Sequence, residues 1–328
     1  MLWFLVSLWV KFMKIIVFEN LKKIAKAALF ILLFILLYTS SREVLRDKSE
    51  SEALGRIFTM PDESYDVVLA GPSHIQYGIQ PKILADEYGI KACNTATAAQ
   101  SMPTTYYVVK EMVERHSPDI VVVDLFCLFY PDNYFTPTRF HQAIDNFPLG
   151  KTKTEAILDL VPQGESEFFA NYMLYHGRWK SLTRYDYTVQ QEFDETSQIL
   201  EVTTPFENDF VPLDENVTGN IPSVPLEYLE KLVTLCKETE TELILTVIPY
   251  RADVDNNGVT GAYQQSLYNS VKVLAETWGV EYINLLHHLD EIGFDFQTDM
   301  AEFSHLNVSG SEKVSRIWGK LLNDRLEN

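Results

Sequence analysis

Cysteine is scarce. Cys93, Cys127 and Cys236 are the only three in 328 residues, and their wide spacing and odd number exclude a disulfide framework and any C-x-x-C metal site. Positive charge is short as well. Lysine and arginine total 27 against 46 aspartates and glutamates, a net charge of -19. A nucleic-acid binder needs a basic face, and this balance argues against one. There is no H-E-x-x-H, no paired-carboxylate spacing and no Gly-rich phosphate loop, so neither a metal hydrolase nor a P-loop phosphoryl transferase is indicated, and no metal or cofactor is expected. Repeats and low-complexity tracts are missing too. What is present is an apolar content of 46% beside 22% charged residues, enough for a substantial core and too much for global disorder. The length allows one large domain or two small ones.

The charge is unevenly placed. Residues 1–48 hold eight basic and three acidic residues, a net of +5, which leaves -24 for residues 49–328. Ala27 to Tyr38 is wholly apolar, and Thr39, Ser40 and Ser41 add length without charge. A full span takes about 20 residues, and Lys22, Lys23 and Lys26 can snorkel to extend this one upstream. The basic cluster precedes the apolar run, so the N-terminus is expected in the cytoplasm and the body outside, on a single-pass cell-membrane anchor over residues 1–41. A cleaved signal peptide is the competing reading, although YTSSREVL lacks an Ala-x-Ala site. Residues 1–18 read as an interfacial helix interrupted by Lys11 and Lys14, or Met13 is the true start.

Residues 42–64 are polar and read as a juxtamembrane linker. Beyond them the pattern is β-α-β: YDVVLAG (65–71), a weak strand at 90–95, a helix opened by Pro103 and broken at Ser117-Pro118, and DIVVVDLFCLF (119–129). Residues 131–222 interrupt the alternation with aromatic, Pro, Asn and Asp residues and helical stretches such as KTEAILDLV and SEFFANYMLYHGRWKSL. They read as an inserted helical and loop cap. The alternation resumes with the helix VPLEYLEKLVTLCKET, the strand ELILTVIPY (242–250), a helix to about Trp278, the strand VEYINLL (280–286) and a last helix after Gly310. Short apolar β-branched strands alternating with helices imply an α/β fold, a three-layer α/β/α sandwich around a mostly parallel sheet spanning 65–328.

Ligands of such sheets bind beyond the carboxyl ends of the strands. Four segments fall there: Gly71-Pro72-Ser73-His74, NTATAAQS (94–101), the stretch from Asp124 to Tyr130, and DMAEFSHLNVSG (299–310). Ser73, at a tight strand-to-helix turn, is the natural nucleophile, because such a turn exposes the hydroxyl near outward-pointing backbone N–H groups. Its base is His305, in a loop before a helix. The orienting carboxylate is Glu302, three residues upstream, or Asp299, six upstream. Taken singly, Ser73 could be a helix cap and His305 a structural histidine; their joint placement makes the case. His74 points away from its neighbour's chemistry. His287-His288 reads as a strand-end pair facing opposite ways. Arg178 is the candidate for an anionic substrate group, against a plain surface ion pair. The sequons at Asn216 and Asn307 are weak, and Asn307 reads as structural.

On GPSH (71–74) and EFSHLNVSG (302–310) the chain resembles the SGNH/GDSL hydrolase superfamily. Members carry the serine after the first strand and D-x-x-H before the C-terminal helix. The His-Leu-Asn-x-x-Gly ending, with YHGRWKSLT (175–183), is similar to a membrane-anchored bacterial branch, the DltD-like proteins and those that accompany membrane-bound O-acyltransferases. The resemblance implies an SGNH/flavodoxin-like sheet and an acyl-serine intermediate. It also departs from the pattern: Glu302 stands where Asp is usual, NTATAAQS takes the place of the oxyanion glycine block with Asn94 and Gln100 as the polar candidates for oxyanion or substrate contact, and the G-x-N-D block is absent. Loss of one oxyanion donor costs about 2.7–4 kcal/mol of barrier. The function expected is that of an extracytoplasmic serine esterase or O-acyltransferase acting on acyl, chiefly acetyl, esters of a cell-envelope glycopolymer. Its partners would be that polymer or an acyl donor, the membrane, and a membrane-bound O-acyltransferase. The other class is a non-catalytic adaptor that binds polysaccharide or such an acyltransferase.

Overall fold

The computed structural model describes residues 2–45, 54, 57–58, 60–62, 64–148, 150–162, 176–182, 187, 199–255 and 258–327. They divide into two compact units: residues 1–46 with 170–189, and residues 47–169 with 190–328.

The first unit is built on one helix, α1 (Leu2–Leu45). The separate interfacial helix expected over 1–18 is instead continuous with the apolar stretch, since Lys11 and Lys14 are good helix formers and nothing between them breaks the ladder. Asn20–Ser41 is long and apolar enough to cross a membrane, and none of it is buried. A short 3₁₀ turn, His176–Lys180, also belongs to this unit. The upstream portion of the expected helical segment, 166–175, lies outside the described residues.

The second unit is the α/β sandwich. Its strands are β1 (Val67–Ala70), β2 (Ala92–Asn94), β3 (Ile120–Asp124), β4 (Glu242–Val247) and β5 (Glu281–Asn284), all parallel, in the order β2-β1-β3-β4-β5. β1 and β3 are buried along their whole length, as β-branched strands covered on both faces should be. The first crossover, through α2 (Ser73–Gly78) and α3 (Pro81–Tyr88), runs towards β2; the later ones run the other way, through α4 (Met102–His116), α7 (Ser223–Glu238) and α8 (Gly261–Trp278). Right-handed connections of opposite direction put helices on opposite faces. Accordingly α4 packs on α7, while α3 packs on the last helix, α10 (Val308–Leu326). Val314, Trp318 and Leu322 of α10 share one buried stripe, and Gly319 allows the close approach, since a Cβ there would lie 2.3 Å from the Tyr88 ring.

Local signals set the ends. Ser101 accepts the Thr104 N–H to cap α4, whose far end is Ser117 in the left-handed conformation at φ 45°. β3 stops at Asp124 because its carboxylate accepts the Phe126 N–H and turns the chain into a 3₁₀ segment, Phe126–Phe129, in place of the longer strand expected to 129. One further sequence expectation is corrected. Residues 42–64 are not all linker, since α1 runs to Leu45 and Leu54, Ile57 and Phe58 are core residues, Phe58 edge-on to Phe147. The inserted region, 131–222, holds helices and loops among its described residues, as expected. Its α5 (Pro137–Ile144) and α6 (Lys151–Leu160) pack on α4 of the sandwich, residues 199–222 run along the same unit, and 170–189 belong with α1.

Candidate active site

The connections leave β1 and β3 towards opposite edges of the parallel sheet, which opens a crevice beyond the carboxyl ends of these two strands. Ser73 stands there. Gly71 makes the turn possible: its φ is +135°, and a Cβ would meet Asp124 backbone and side-chain atoms at 3.2–3.3 Å. Ser73 is the first residue of α2, so its own N–H has no acceptor one turn back. The hydroxyl is half-buried.

His305 comes from a feature read from sequence only as a loop. Residues 300–306 form an antiparallel hairpin, β6 (Met300–Glu302) and β7 (His305–Leu306), turning through Phe303-Ser304. Between them and β5 lies one helical turn, α9 (Leu289–Ile292). Glu302 and His305 are directly opposed in the hairpin register, so their side chains share a face. His305 Nε2 lies 2.7 Å from Ser73 Oγ, and its Nδ1 meets Glu302 Oε1. Ser304 donates its hydroxyl to the same carboxylate at 2.7 Å and its N–H at 3.1 Å. Burial opposes ionisation of Glu302, yet the hydrogen bonds from His305 and Ser304 outweigh it and hold the carboxyl below its ordinary value. A hydroxyl, an imidazole and a carboxylate thus lie in one hydrogen-bonded line, with Glu302 still 41% exposed.

Asp299 faces elsewhere. It is fully buried and bonded to Lys313 Nζ at 2.7 Å, Ser309 Oγ at 2.7 Å and the Asp295 N–H at 2.7 Å. Asn307 caps α10 through Gly310 and donates to Thr203 and to the Thr298 carbonyl, the structural role expected of it. Asn94 and Gln100 do not present free amides to the crevice. Asn94 Nδ2 donates to the Ile75 and Ile79 carbonyls, clamping α2 to β2, and Gln100 Nε2 donates to Thr95 and Thr97. Framework bonds therefore occupy the groups expected to contact oxyanion or substrate. Arg178 belongs to the first unit, where its Nη1 donates to the Leu45 carbonyl at 2.8 Å.

Several supporting residues escape sequence reasoning. A strap over 200–208 pairs with the hairpin: Thr204 donates its N–H to Met300 and its hydroxyl to Ala301, and Phe206 N–H bonds Phe296. Arg251, after β4, donates its N–H to the Phe303 carbonyl at 2.9 Å, while its guanidinium holds Asp253, Asp209 and the Glu207 carbonyl. Beneath the serine turn Asp124 ties β3 to β4 through the Ile248 N–H, and burial lifts its carboxyl to about 7 despite the two backbone donors. His74 is buried against Phe126 and Tyr250, its ring 5.2 Å from that of His305, with no partner for either nitrogen among the described residues. Burial, then the neighbouring His305, keeps it neutral. No periodicity in MAEFSHL points to the hairpin, whose strands of three and two residues are too short to show one. A cavity of about 430 Å³ lined by Tyr65, Pro81, Lys82 and Ile90 lies at the amino ends of β1 and β2, the end away from Ser73.

No family model matches the chain, and no curated protein matches it. Among solved structures it is similar to a GDSL-like lipase from Bacteroides thetaiotaomicron, at 10% identity over 85% of this chain and 98% of that one, with a TM-score of 0.42. It is also similar to a catalytic mutant of an acetylxylan esterase from Geobacillus stearothermophilus, at 12% identity over 79% of this chain and 94% of that one, with a TM-score of 0.39.

Proposed function

We propose that this chain is a membrane-anchored extracytoplasmic serine esterase or O-acyltransferase of the SGNH type, acting on acyl, chiefly acetyl, esters of a cell-envelope glycopolymer. The observation that carries the reading is the 2.7 Å contact of Ser73 Oγ with His305 Nε2, with Glu302 on the opposite ring nitrogen. As the Ser73 oxygen attacks the ester carbonyl, its proton passes to Nε2, and Glu302 balances the imidazolium through Nδ1–H. The tetrahedral oxyanion collapses, the C–O bond to the leaving alcohol breaks, and Nε2 returns the proton to that alcohol. The acyl-serine is then attacked by water, giving the acid, or by a sugar hydroxyl, giving a new ester, with His305 again the base. The Ser73 N–H serves the oxyanion. The apolar stretch of α1 and the basic residues before it support anchoring with the body outside. The Ser73→Ala variant should lose at least about 10³-fold in turnover of an aryl acetate, and with it all covalent labelling by a fluorophosphonate. Full activity in that variant overturns the reading.

One observation favours a second reading. The side-chain amides of Asn94 and Gln100 are engaged in the framework, which leaves the Ser73 N–H as the evident oxyanion donor. A degenerate adaptor that binds polysaccharide or a membrane-bound O-acyltransferase would share this geometry. Absence of fluorophosphonate labelling in the native chain, with glycan binding retained, would support it.

A further inference from the structure

Within the first unit, burial along α1 changes abruptly. Residues 20–37 are exposed all round, with Phe30 at 70% and Leu37 at 71%. From there the half-buried or buried positions are Tyr38, Ser41, Val44 and Leu45, spaced three or four apart on one face. Where the lipid-facing surface gives out, Arg178 Nη1 binds the Leu45 carbonyl. Leu45 lies four residues beyond Ser41, the end of the apolar stretch, or about 6 Å at 1.5 Å per residue. The polar headgroup zone on each side of a bilayer is about 5–7 Å deep. The Arg178 contact therefore sets the 3₁₀ turn His176–Lys180 at headgroup height. The next residue, Trp179, is 65% exposed, with Lys180 Nζ 5.5 Å from its ring centre. Ser181 closes the turn by donating its N–H and hydroxyl to the Arg178 carbonyl, which leaves the indole outside it. Tyr187, also of this unit, is 67% exposed.

We infer that residues 177–182 form a lipid-interface foot, with the Trp179 ring in the headgroup layer of the bilayer crossed by α1 and the Lys180 ammonium on lipid phosphates. The inference rests on the membrane-anchoring reading above. An indole has an apolar body and a polar N–H, and the layer between water and hydrocarbon is where both are satisfied. A neighbouring lysine adds attraction to phosphate at an anionic surface. The foot gives the inserted chain a second attachment to the surface, beside the helix itself.

The test uses the full chain in nanodiscs of phosphatidylcholine and phosphatidylglycerol. Single nitroxides go at Trp179→Cys, at Phe30→Cys and at Val273→Cys, an exposed position on α8 of the sandwich. The native Cys93, Cys127 and Cys236 are buried, which directs the label to the introduced thiol. Relaxation by oxygen and by a water-soluble nickel chelate reports depth. Position 30 should be rich in oxygen and shielded from nickel, position 273 the reverse, and position 179 intermediate in both. Lys180→Glu should shift position 179 towards the aqueous values in phosphatidylglycerol discs and not in pure phosphatidylcholine. A position 179 that matches 273, or one shielded from both reagents by a protein contact, overturns the foot while leaving the anchor intact. An aqueous position 30 overturns the anchor, and the foot falls with it.

Discussion

Two carboxylates three residues apart on one hairpin have opposite fates. Glu302, next to the turn, is partly exposed, lies opposite His305 and is held ionised by it and by Ser304. Asp299, at the base, is fully buried and locked to Lys313, Ser309 and a backbone amide. The tip of the hairpin carries the hydrogen bonds to Ser73 and His305 and the base a buried ion pair, so under the proposed function equivalent substitutions at the two sites should separate rate from stability.

The largest effect is expected at the tip. Glu302→Gln leaves the packing almost unchanged but removes the anion that balances the imidazolium, and turnover should fall by roughly 10²–10⁴-fold with the thermal midpoint nearly constant. A variant with native turnover would break the distinction, because Glu302 would then be only another framework group. Asp299→Asn should do the reverse. Its Lys313 partner is one-third exposed, so the cost is about 3 kcal/mol, the low end for a broken buried pair, measured by denaturant unfolding. The fraction that stays folded should keep most of its rate.

Asp124 sharpens the contrast through pH. Its folded value of about 7 exceeds the ordinary 3.8, so the native chain holds this proton more tightly than the unfolded chain does. The stability it contributes is complete below the lower value and is lost as pH rises through the upper one. Thermal unfolding between pH 5 and pH 8 should show a decline in the native chain that is flatter in Asp124→Asn, a variant that also forfeits one backbone hydrogen bond at every pH. The smallest effect is expected from the strap. Thr204→Val removes the hydroxyl bond to Ala301 and should cost about 1 kcal/mol in denaturant unfolding.

Much of this was legible in the chain itself. The β-branched runs at 67–70 and 120–124 identify buried parallel strands, and a serine after the first with a histidine before the last helix predicts their meeting. The choice between Glu302 and Asp299 was not legible, because it depends on a pairing register in strands of three and two residues, too short to show a period. Nor were the fates of Asn94 and Gln100. An amide side chain is spent or available according to which carbonyls the fold brings near it, and those of Ile75 and Ile79 belong to a different element. The strap was hidden for a similar reason: Thr203 and Thr204 contact residues 104 and 97 positions away.

Gly71 carries a consequence for how this protein can vary. Its hydrogen atom faces the Asp124 backbone in a conformation that side chains resist, so substitution there strains the turn and crowds β3 at once. A survey that replaces every polar residue by alanine would find Ser73, His305 and Glu302 and pass over the position that decides where the hydroxyl stands. Natural and laboratory variation should therefore tolerate change at Asn94 or Gln100 sooner than at this site, which has no functional group to lose.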